Sequence, residues 1–201
     1  MTCIAEQFKQ ILLTAIFLLV AAFAWPQAKP QIHSKQLSNF NKLTAEAGML
    51  FTFPEEFKEI PVVNTEEFPF DYAISLPDKE FEIWFMVRAP KNYPKVPSEA
   101  FNADSTYNYM AETEARAFTG DGHVASRGIP KDILARYNAD EGKTYLLDLQ
   151  DLLETKHYKY ALLVTLEKDH TGTVLVVCLG NDKGTGFFQN INKAVTCLKF
   201  K

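Results

Sequence analysis

Asp121 and His123 stand one glycine apart in Gly120-Asp121-Gly122-His123, which puts a carboxylate and an imidazole on one short loop. Such a pair would supply two ligands to a divalent-metal site, and a water activated by that metal would serve a hydrolase. Zinc needs three or four converging donors, and the other histidines, His33, His157 and His170, are dispersed without ligand spacing. The competing reading of the loop is a helix stop with solvated polar tips. Nucleophilic chemistry has less to stand on. There is no Gly-x-Ser-x-Gly elbow, and neither Cys178 nor Cys197 lies in a glycine-rich or cationic turn that would lower a thiol pKa. Gly180, Gly184 and Gly186 precede a helical pattern but lack the spacing and the Lys-Ser/Thr of a phosphate loop. The acidic pairs Glu55-Glu56, Glu66-Glu67 and Asp140-Glu141 lie beside turn-formers and read as solvated faces. These patterns specify no named reaction, no catalytic residue and no cofactor.

The elements that would position these residues are mainly strands. Met49 to Phe53 is a strand ended by Pro54, and Glu59 to Asn64 is extended. Phe70 to Leu76 and Phe81 to Arg88 form a hairpin about Pro77-Asp78-Lys79. In its second strand Phe81, Ile83, Phe85 and Val87 share one face. Glu82, Trp84, Met86 and Arg88 share the other, which is either a partly covered surface or a contact patch centred on Trp84 and Met86. A helix capped by Asp104 or Ser105 runs to Phe118 with Tyr107, Met110, Ala111, Ala117 and Phe118 as its apolar stripe. A short helix starts at Pro130 and buries Ile133, Leu134 and Tyr137. Thr144 to Leu149, Tyr158 to Glu167 and Gly172 to Leu179 form an antiparallel meander. Phe187 to Cys197 closes the chain as a helix with Phe188, Ile191 and Val195 at helical spacing, followed by a last strand, Leu198 to Phe200.

The first 24 residues have the form of an export signal: Lys9, then the apolar run Ile11 to Ala24, ending in Ala22-Phe23-Ala24. An uncleaved anchor is the alternative, although such a run is short for the hydrocarbon core. Residues 25–47 are polar and hold Pro26 and Pro30, which reads as a tether, and residues 48–201 make a single domain. In a periplasmic or extracellular setting Cys178 and Cys197 are either two small buried hydrophobes or a disulfide.

The chain is 47% hydrophobic and 23% charged, with a net charge of −4 and a pI near 5.6. That balance and the missing Lys/Arg stripe disfavour nucleic acid, and they equally disfavour a polybasic membrane patch.

Three stretches, Leu50-Phe51-Thr52-Phe53-Pro54 with Phe57, the hairpin Phe70 to Arg88, and Ile191 to Phe200, give the chain an order of elements that resembles the PsbP-like superfamily. That resemblance implies an α+β fold: an antiparallel β-sheet with helices packed on it, in an α/β/α sandwich. The family's Gly-Trp after the proline is replaced here by Glu55-Glu56-Phe57. The family shares no catalytic residues, so no site is carried over. The expectation is an exported, non-enzymatic accessory or binding protein that meets a protein or envelope component, without stable membrane insertion once the signal is removed. Its alternative is a metal-assisted hydrolase using Asp121 and His123. Oligomeric state is left open.

Overall fold

A computed structural model describes residues 34–90, 106–120, 124–194 and 196–201. Its elements are α1 (Lys35–Glu46), β1 (Met49–Phe51), β2 (Lys58–Glu59), β3 (Tyr72–Ser75), β4 (Phe81–Arg88), α2 (Thr106–Thr119), β5 (Ala125–Gly128), α3 (Lys131–Tyr137), β6 (Glu141–Asp148), β7 (Tyr160–Lys168), β8 (Gly172–Gly180), α4 (Thr185–Ala194) and β9 (Leu198–Phe200). Seven strands form one sheet in the order β2-β3-β4-β8-β7-β6-β5, and β1 pairs with β9 in a separate ribbon. Every pairing is antiparallel.

Alternation along the strands makes two cores, one on each face of the sheet. One face carries Ile83, Phe85, Val174 and Cys178 beneath α1, α3, α4 and the β1–β9 ribbon. The other carries Trp84, Met86, Val177, Leu163 and Tyr145 beneath α2. The result is the α+β sandwich with helices on both faces that the sequence leads one to expect.

The α1 helix overturns part of the tether expected over residues 25–47. Ser34 caps it, its hydroxyl accepting from the Leu37 amide at 2.9 Å and donating to Glu59 at 2.5 Å. Leu37, Phe40 and Thr44 are buried, and Phe40 stacks on Tyr72 with ring centroids 4.6 Å apart. The composition is polar, but the apolar residues recur at helical spacing, and that stripe decides the structure. Gly48 at φ +65° then turns the chain into β1. The compact unit therefore begins at Ser34, and residues 25–33 lie outside the described residues.

Two further details differ from the sequence expectation. In α4 it is Phe187 and Ala194 that are buried, while Phe188 is exposed; Val195 lies outside the described residues. The strand β5 carries no apolar alternation and exists through its pairing with β6. No helix among the described residues is long and apolar enough to cross a membrane.

Candidate functional site

Trp84, Val177, Leu163 and Tyr145 form one rung across β4, β8, β7 and β6. The α2 helix lays Met110, Ala111, Ala115 and Phe118 over this face, with the Phe118 ring 5.0 Å from Phe68 and 6.3 Å from Trp84. Trp84 and Met86 are thereby buried, so they are core and not a contact patch. A strand shows which side chains share a face but not what covers it, and here the cover is a helix from another part of the chain.

Each end of the α2-covered face holds charge. At one end the Glu82 carboxylate, only 7% exposed, accepts from Trp84 Nε1 at 2.9 Å and from Lys156 Nζ at 2.7 and 2.8 Å. Burial, reinforced by Glu82, pushes the Tyr158 phenol far above its ordinary range. Lys156 reaches Glu82 from a loop in which it and His157 both have left-handed backbone, φ +52° and +61°. With its oxygens occupied, Glu82 serves as a clamp for the β6–β7 loop.

At the other end Arg88 donates to Asp71 at 2.8 Å and to the carbonyls of Val87 and Pro69. Asp71 also accepts from the Val87 amide at 2.8 Å. Burial nevertheless raises the Asp71 pKa, outweighing the lowering by Arg88 and these hydrogen bonds. Glu114 of α2 is 7% exposed, and its Oε2 has no hydrogen-bond partner among the described residues. Desolvation pushes its pKa up to about 7, with Arg88 pulling the other way. The same guanidinium is paired with Asp71 at 2.8 Å. A carboxyl that titrates near neutrality can move a proton, but a catalyst also needs a substrate position beside it.

The opposite face of the sheet holds an apolar cleft of about 60 Å³ beside Tyr137, Ile191, Cys178 and Cys197. Both thiols are free and buried; burial raises both, Cys197 to about 12. They are small core hydrophobes, and the disulfide alternative is not formed. The volume suits a side chain and falls well below the ~300 Å³ at which small-molecule sites begin. A recess of about 330 Å³ next to Pro54 is bordered by Glu56 and Lys193, which pair with each other. Another, of about 410 Å³, lies between the β3–β4 turn and α4.

The remaining candidate is backbone. All four residues of β5 are exposed, and among the described residues no strand pairs with its outer edge. The Ile129 amide donates to the Gly142 carbonyl at 3.0 Å, which fixes the phase of the ladder. Arg127 opposite Thr144 and Ala125 opposite Leu146 are then the hydrogen-bonded pairs. Ser126 and Gly128 consequently aim their N–H and C=O groups away from β6. The next residue of that parity, Pro130, has no N–H and ends the edge. Arg127 is exposed on the same face as Leu146, itself 40% exposed. This edge was not expected from the sequence, whose one signal for it is the short run between two turn-formers.

Asp121 and His123, the expected metal pair, lie outside the described residues. His157 and His170 are exposed, each beside a carboxylate, Asp151 and Asp169 respectively.

The chain matches no family model and no curated protein. Among solved structures it is similar to the solution structure of cyanobacterial PsbP from Synechocystis sp. PCC 6803, at a TM-score of 0.43 and 11% identity. The likeness covers 77% of this chain and 88% of that one. That neighbour is a PsbP, the superfamily whose order of elements this sequence resembles.

Proposed function

We propose that this chain is an exported, non-enzymatic accessory protein that binds a protein component of the cell envelope through the β5 edge. The observation that carries this reading is the pair of outward-facing peptide groups at Ser126 and Gly128, a template for strand addition by another chain. The signal-like residues 1–24 supply the setting. The test is a photo-reactive amino acid placed at Ser126, or at the remote exposed Lys79, in the native host. A discrete protein adduct from Ser126 and none from Lys79 is expected; equal labelling, or none at Ser126, overturns the binding edge. N-terminal sequencing of the envelope-associated protein should begin at Trp25, and a Met1 start confined to the cytoplasm overturns export.

A further inference from the structure

The β5 edge is built for a particular kind of strand. Its outward peptide groups number few, because Pro130 ends the run, so backbone bonding alone gives little selectivity and the flanking side chains must supply it. A strand added antiparallel would exchange N–H···O bonds with Ser126 and Gly128. The residue between these bonds would then face Arg127 in a non-hydrogen-bonded pair, where side chains come closest. The neighbours two positions away would face Ala125 and Ile129, which share the Arg127 face, with the exposed Leu146 behind Ala125 on β6. Lys143, opposite Gly128, is a second cation beside the edge on the other face. The nearest acid on β6, Glu141, is engaged by the Tyr107 hydroxyl, whose pKa it helps raise to about 12 behind burial. In a chain of net charge −4, β5 itself carries one cation and no acid, and the acid facing it from α2, Glu112, acts on Tyr145 on the other face from Arg127.

A second copy of the chain is a poor occupant. The register that uses both outward residues, Ser126 against the copy's Gly128, sets Arg127 directly opposite its own counterpart, and like charges facing each other across strands repel. The same position attracts a carboxylate. Among the described residues, a Cβ added at Gly128 would meet nothing within 4 Å on the face that it shares with Lys143.

We infer that the β5 edge accepts an extended segment of another protein carrying an acidic residue opposite Arg127, flanked on that face by apolar residues. The inference rests on the binding-edge reading above and names its partner chemistry.

The test uses the full chain, isotope-labelled, with two blocked heptapeptides: Thr-Val-Thr-Glu-Thr-Val-Thr and its counterpart with Lys in place of Glu. The Glu peptide should slow amide exchange at Ser126 and Gly128 and bind roughly tenfold more tightly than the Lys peptide. Arg127→Glu, at an exposed position, should reverse that order. Ser126→Pro, which removes an outward N–H without touching the β6 ladder, should weaken both. Equal protection by the two peptides overturns the charge preference and leaves the binding edge standing. Protection by neither overturns the inference, while the cross-link at Ser126 separately decides the binding edge. Dimerisation of the unmodified chain with protection of Ser126 and Gly128 also overturns it.

Discussion

Glu114 is a carboxyl placed where only its protonated form is comfortable. Its native pKa of about 7 lies above the ordinary 4.5, so the folded state holds this proton more tightly than the unfolded chain does. Its contribution to stability is therefore full below about pH 4.5 and is lost as pH rises through the window up to about 7. The loss is at most ~3 kcal/mol. Asp71, also raised, acts in the same sense. Glu114→Gln should flatten the decline, which urea midpoints at about pH 5 and about pH 8 would reveal; an unchanged slope would mean that Glu114 does not titrate there. Lys156 offers a contrasting case. Lys156→Met leaves Glu82 buried with only neutral donors, the Trp84 indole and the Tyr158 hydroxyl, and should cost about 2 kcal/mol in chemical denaturation. The figure is below that for a fully buried pair because the lysine side chain is 44% exposed. Adding Glu82→Gln should recover part of the loss, since no buried charge then remains. None of these partnerships was legible in the sequence: Asp71, Arg88 and Glu114 come from three separate elements, and only the packed sheet and helix bring them together.

Among the elements, those with strong alternation were readable and those that depend on a neighbour were not. Phe81 to Arg88 declares two faces by itself, and Pro130 marks the start of α3 by its missing N–H. The α1 helix was read as a tether because Gln, Asn, Ser and Lys dominate its composition, although Leu37 and Phe40 already have helical spacing. A chain beginning at Gly48 should accordingly unfold at markedly lower denaturant than one beginning at Ser34. Phe40→Ala alone should cost on the order of 3–5 kcal/mol. If the two chain lengths melt together, α1 contributes nothing to the fold. The β5 strand shows the opposite difficulty: Ala-Ser-Arg-Gly has no pattern of its own, and β6 imposes its conformation.

The whole molecule is stitched between distant parts of the sequence. The β4 strand finds its partner in β8, and β1 finds its partner in β9. Cys178 lies on β8 and Cys197 precedes β9, so both thiols report on these two seams. With both pKa values raised, neither should react with an alkylating reagent near pH 8 until the seams open. Mass analysis of the two peptides after timed exposure should show modification rising together with global unfolding; prompt native labelling of either would contradict the burial.

The pairing of β1 with β9 also sets a schedule. Phe51 waits for Leu198, and Met49 waits for Phe200, far along the sequence. A polypeptide delivered from its amino end can collapse locally and zip the β3–β4 hairpin early, yet β1 has no partner until β9 arrives. Arrival of β9, and not the length already made, is what lets β1 pair.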